Sequence, residues 1–211
     1  MNPDTVRHAL SVAVRIDDHF IAAPVEDELD VRLDSILPAA IRGGGGKRHS
    51  DGTYRFVDVA DGAHQIRIAA NPNWMLLEPL PSIPIPYGPV STALVISAWP
   101  SPARAVPAGL TAVRGKLLGT PTATIGRRIE FSVGGSDAGH HTQTDSLGEC
   151  VFLFPGDLKL DADRMVALVL RVPGLTVVGG EVVTGDSSVG FTGAAFRIVP
   201  GRETRVRFHV T

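Results

Sequence analysis

Thr144-Asp145-Ser146-Leu147-Gly148-Glu149-Cys150-Val151-Phe152 reads as a polar turn that feeds an alternating strand, and Ser50-Asp51-Gly52-Thr53-Tyr54-Arg55-Phe56 reads the same way. In each stretch an Asp is followed within three residues by a Gly. The carboxylate can accept backbone N–H groups, and glycine supplies a positive φ with no Cβ to clash. Residues such as Phe56 and Phe152 then land on the inner face of a strand, where burying a large apolar side chain contributes about 1.5–3 kcal/mol. Register is thereby pinned, because a one-residue slip would turn every side chain to the other face. This structural role accounts for Asp51 and Asp145 in full, so neither is read as a catalytic acid.

The pattern extends outward from both turns. Before the first, Leu10 to Asp17 alternates, with Val12, Val14 and Ile16 on one face, and Glu28 to Asp34 repeats this with Leu29, Val31 and Leu33 inward. Gly43 to Gly46 is a glycine tip, followed by Lys47, Arg48 and His49. After the turn, Tyr54 and Phe56 point inward, Asp61-Gly62 is a second turn, and His64 to Ile68 leaves it as a strand. The second half opens with Ala112 to Leu117, and Pro121 follows it much as Pro24 follows the first strand. Arg128 to Val133 matches the strand at 28–34, and Cys150, Phe152 and Phe154 take inward positions. Met165 to Leu170 is apolar on both faces; its length and valine content favour a strand over a buried helix. Arg205 to Val210 closes the chain with Val206, Phe208 and Val210 inward.

Residues 71–89 differ in kind. Pro79, Pro81, Pro84, Pro86 and Pro89 deny the segment a helix or a sheet interior, so it is expected to be extended, near polyproline II. It feeds Ser91 to Trp99, the expected last strand of a first domain, and Pro100 to Gly109 reads as a linker. The expected domains are therefore 1–100, with the Pro-rich segment at 79–89, and 110–211, joined by 101–109.

The order of first strand, proline-containing turn, second strand, Asp-x-x-Gly-x hairpin and alternating closing strand resembles the carboxypeptidase regulatory-like domain. The match centres on Thr144 to Phe152 across most of 108–211, and extends to 8–98 through Asp51 to Val59. Cys150 stands where that family often has an aromatic, and the first copy departs by its glycine tip and its proline segment. The resemblance implies an all-β chain of two tandem transthyretin-like or Ig-like antiparallel β-sandwiches. It also implies a non-catalytic accessory module, of the sort appended to peptidases, receptors, adhesins and assemblies that include phage-tail-like contractile machines.

Composition agrees with a protein that does not bind nucleic acid. The 211 residues carry a formal net charge of −2, with 9 basic and 12 acidic side chains in 1–104 and 11 and 10 in 105–211, so no basic field exists. Apolar runs are too short for a membrane span, and Arg15 and Asp17 break the stretch that would serve as a signal peptide. A lone cysteine, Cys150, excludes an internal disulfide. The expectation is a soluble chain, cytoplasmic or assembled into a particle.

Candidate chemistry is sparse. His140 and His141 would point to opposite faces of a strand; in a loop they could share an ion, but no third ligand has recognisable spacing. Iron-dependent dioxygenases of similar shape need two tyrosines and a histidine pair, whereas Tyr54 is an expected core anchor and only Tyr87 remains. The C-terminal Phe208-His209-Val210-Thr211 lacks the ending of the transthyretin-like purine hydrolases. Cys150 is read as a small hydrophobe and Gly185 to Ser188 as a loop. No enzyme activity, cofactor or metal is expected.

Three surfaces are candidates for binding, each with a plainer alternative. Leu80, Ile83, Ile85 and Tyr87 interleave with prolines and could dock on a partner or pack across their own sandwich. Arg205, Arg207 and His209 form an outward stripe that could meet a partner or merely blunt an edge. The Gly43 to His49 tip could order on a partner or stay a loop. Other protein subunits are the expected partners. The second reading is a carbohydrate- or ligand-binding module, for which Trp74, Tyr87 and Trp99 are the candidate aromatics.

Overall fold

Alternation of buried and exposed positions makes strands of nearly every regular element in the computed structural model, which describes residues 9–35, 45–76, 80–88, 92–134, 141–154, 158, 160–184 and 191–211. In chain order the first half forms β1 (Leu10–Asp18), β2 (Ala23–Pro24), β3 (Val31–Ser35), β4 (Lys47–Arg48), β5 (Thr53–Val57), β6 (Gly62–Ile68), β7 (Trp74–Leu76), β8 (Ser82–Ile85) and β9 (Leu94–Pro100). The second half forms β10 (Thr111–Leu118), a one-turn helix α1 (Pro121–Thr124), β11 (Arg128–Val133), β12 (His141–Gln143), β13 (Glu149–Phe154), β14 (Val166–Arg171), β15 (Val177–Thr184), β16 (Ala195–Ile198) and β17 (Glu203–Val210). The chain divides into two units, Met1–Asn71 with Leu76–Ala98, and Pro72–Met75 with Trp99–Thr211.

In the first unit β1 is central. It runs antiparallel to β5 and parallel to β9, β2 folds back on its end, and β4 lies beyond β5. The second sheet is β3-β6-β8, antiparallel throughout. Val12, Val14, Ile16, Tyr54 and Phe56 from one sheet and Leu33, Ile66 and Ile83 from the other are buried. The Tyr54 hydroxyl accepts the Leu29 N–H at 2.8 Å, so this ring is a core anchor with its polar tip satisfied.

The second unit repeats the plan with sheets β13-β10-β17-β15 and β12-β11-β14-β16. β10 is antiparallel to β13 and parallel to β17, as β1 is to β5 and β9. Its core is aromatic: Phe131, Phe152, Phe154, Phe196 and Phe208 are buried, and Phe131 and Phe152 lie 4.7 Å apart between ring centroids. β14 is a central strand whose Val166, Leu168 and Leu170 face inward, while Val169 is exposed.

Both hairpins take the expected form. The Asp145 carboxylate accepts the N–H groups of Leu147 and Glu149 at 2.8 and 2.9 Å, and Gly148 has φ +73°. Asp51 accepts the Thr53 N–H at 3.0 Å beside Gly52 at φ +79°, and these bonds, led by that of the Thr53 hydroxyl, hold its carboxyl well below the usual range.

The fold is all-β, with two differences from the expected design. Among the described residues β1–β9 in the first unit and β10–β17 in the second are parallel pairs, because the strand that closes each repeat runs in the direction of the strand that opens it. The intervening chain crosses to the other sheet, which supplies the long connection a parallel pair needs. The proline segment is also partly sheet. Residues 82–85 are β8, which among the described residues pairs with β6 alone, so Pro84 sits on an edge strand where its missing N–H leaves part of the ladder unused.

Candidate functional site

β8 and its flanks position the first candidate set. Leu80, Ile83 and Ile85 are buried, the Gln65 side-chain amide donates to the Leu80 carbonyl, and Tyr87 alone keeps partial exposure. Apolar alternation across an edge strand turns these three side chains into the first unit, so the self-packed arrangement is the one observed. Trp74 and Trp99 are buried as well: the Arg104 guanidinium lies 4.0 Å over the Trp74 ring, and the Trp99 indole N–H donates to the His141 carbonyl at 3.1 Å. Of the three aromatics considered for a sugar, only Tyr87 is partly accessible.

His141 belongs to β12, and His140, Gly43, Gly44 and Gly185 to Ser188 lie outside the described residues. Lys47 and Arg48 form β4, where Arg48 donates to the Glu26 and Val25 carbonyls. Among the described residues no group of three or more His, Cys, Asp and Glu is disposed to hold a metal ion. Cys150 is fully buried, and that burial pushes its thiol up to about 12, where it is inert as a nucleophile.

The outward stripe on β17 is where the structure gathers charge. Strand alternation buries Thr204, Val206, Phe208 and Val210 and leaves Arg205, Arg207 and His209 outside. The parallel register sets Arg114 beside Arg205 and Lys116 beside Arg207. Four cations thus occupy adjacent positions on two neighbouring strands, an arrangement that is unfavourable by itself. Three carboxylates relieve it. Glu203 meets Arg114 at 3.1 Å and Arg205 at 2.8 Å, Glu149 meets Lys116 at 3.0 Å, and Glu181 meets Arg207 at 3.0 Å. Hydrogen bonding from Arg114 in the first place, and also from Arg205, holds the Glu203 carboxyl below its ordinary range against the opposing effect of burial.

Glu149 stands on β13 and Glu181 on β15, the two outer strands, so they draw Lys116 and Arg207 apart. Between them lies a shallow depression of ≈ 290 Å³ that all four cations line. The sequence reading found Arg205 and Arg207 but missed Arg114, Lys116 and their glutamates. The available signal was the spacing: Arg114-x-Lys116 and Arg205-x-Arg207 each place cations at alternate strand positions.

No protein-family model matches the chain. No curated protein matches it. Among solved structures, similarity is found to the Bacillus anthracis TIE protein, at 8% identity and TM-score 0.35, over 95% of this chain and 34% of that one. A streptococcal ancillary pilin is similar at 10% identity and TM-score 0.30, over 95% and 62% of the two chains. Two B repeat units of the collagen binding protein of Staphylococcus aureus are similar at 9% identity and TM-score 0.28, over 97% and 49%. The chain spans less than two thirds of the length of each of these three. Likeness at this level carries no argument about activity or partner.

Proposed function

We propose that this chain is a non-catalytic structural or adaptor module of a larger protein assembly, built from two tandem domains of carboxypeptidase regulatory-like type. The observation that carries the reading is the outer face of β13-β10-β17-β15, where four cations sit in register with three glutamates, an excess of positive charge in a chain whose net charge is −2. Packing within one sandwich does not require like charges in register on adjacent strands; a complementary surface rewards it. Val178 and Val183 on the edge strand β15 are exposed beside this face and extend it with apolar surface. Membership of phage-tail-like or contractile injection machinery is the specific form of the proposal and rests on the family resemblance; it puts the chain in an assembled particle.

Size-exclusion chromatography of a native lysate, with the chain detected by blot, tests the reading. Elution in a megadalton fraction is expected. Elution near the chain's own 22.3 kDa would defeat it and return attention to glycan screens aimed at Tyr87.

A further inference from the structure

We infer that the β10–β17 face takes an extended protein segment bearing carboxylates at alternate residues; the inference rests on the assembly reading above and names the chemistry of the contact. Arg205 spends its Nε on Glu203, and Arg207 spends one terminal nitrogen, Nη1, on Glu181. The remaining guanidinium nitrogens of both make no hydrogen bond among the described residues, and the side chains are 56% and 48% exposed. Each therefore retains donors for an incoming carboxylate, and a guanidinium fork suits that acceptor. Lys116 is similarly held by a single carboxylate, that of Glu149, and is 42% exposed.

Spacing selects the form of the ligand. Arg205, Arg207 and His209 are every second residue of one strand, so neighbouring members of the stripe are about 6.6–6.8 Å apart. Carboxylates at alternate positions of another extended chain repeat at the same distance. Glutamates packed consecutively would alternate faces and present only half their charge. The charge sign selects the class. Four cations face three carboxylates, Glu149 and Glu181 at the flanks and Glu203 at the start of β17, where it holds the largely covered Arg114; the depression that Lys116, Arg205 and Arg207 line is open to an added anion. A nucleic acid would call for a basic field far wider than this block.

The test is fluorescence anisotropy with a labelled peptide alternating Thr and Glu, at low salt, on the full chain. Saturable binding is expected. It should weaken about tenfold in Arg205→Gln/Arg207→Gln, in keeping with the loss of charge-assisted bonds worth about 1.4 kcal/mol together. It should weaken as well with added salt, and for a peptide of equal composition with consecutive glutamates. Arg32→Gln/Arg67→Gln, which removes an exposed pair from the first unit, should leave it unchanged. Thermal melting of both double variants verifies that they are folded. Absence of binding, indifference to the β17 substitutions, or tighter binding of a heparin oligosaccharide than of the peptide would overturn the inference. The lysate experiment separates the two claims. A chain that elutes in a large complex yet ignores the peptide keeps the assembly reading and loses this one. A chain that elutes alone yet binds the peptide does the reverse.

Discussion

At the scale of single residues, the buried hydroxyls of Thr53, Thr142 and Thr144 serve the hairpins. Thr144 is 3% exposed; its hydroxyl donates to the Thr124 carbonyl at 2.7 Å and accepts the Arg127 N–H at 2.7 Å. One hydroxyl thereby satisfies two backbone groups, one at the end of α1 and one just before β11, locking the chain before the Asp145 turn. Thr144→Val keeps the shape and removes both bonds, so it should lower unfolding free energy by about 1–3 kcal/mol, the cost of leaving buried groups unpaired. Thr144→Ser should recover most of this in denaturant titration; equal loss in both variants would assign the effect to packing. The sequence showed the Asp and the Gly of this motif because their turn chemistry is local. It did not show the work of Thr144, since its two partners lie 17 and 20 residues away.

At the scale of elements, alternation made β1, β5, β13 and β17 legible. β15 escaped because Gly179 and Gly180 interrupt its apolar pattern, as glycine weakens any strand signal. The second glycine has a packing reason: a Cβ there would stand 2.8 Å from the Phe191 ring and 2.7 Å from the Arg207 carbonyl. β8 escaped for the opposite reason, since its prolines argued against sheet while an edge position tolerated Pro84. The β10–β17 ladder carries a pH prediction. Arg114 lowers the Glu203 carboxyl below its ordinary 4.5. A carboxyl with a depressed folded value contributes stability that is fully present above about 4.5, the unfolded value, and is lost as pH falls through the folded one. The melting temperature of the wild type should therefore fall more steeply below that pH than that of Glu203→Gln. Parallel curves would remove Glu203 from the acid response.

At the scale of the whole molecule, the duplication was readable because the same hairpin occurs twice at matching places. The parallel closures were not, because Arg114 and Glu203 meet across 89 residues and no local pattern reports such a pairing. For the same reason the candidate site was only half visible: β17 displayed its stripe, while the cations beside it came from the strand that opens the domain. Leu80, Ile83 and Ile85 illustrate the converse, an apolar run whose chemistry suits a partner or a core equally and whose burial places it in the core.

The most direct test of the account is crosslinking in the native lysate with a water-soluble carbodiimide, which activates a carboxylate so that a lysine amine displaces the urea and forms an amide, followed by mass spectrometry. Among the described residues Lys116 is the one lysine on the proposed docking face, and Lys47 lies on β4 of the first unit. The account predicts links from Lys116 to acidic segments of other proteins, lost in Arg205→Gln/Arg207→Gln. Links to other proteins from Lys47 with none from Lys116, or links from Lys116 that persist in the double variant, would contradict it.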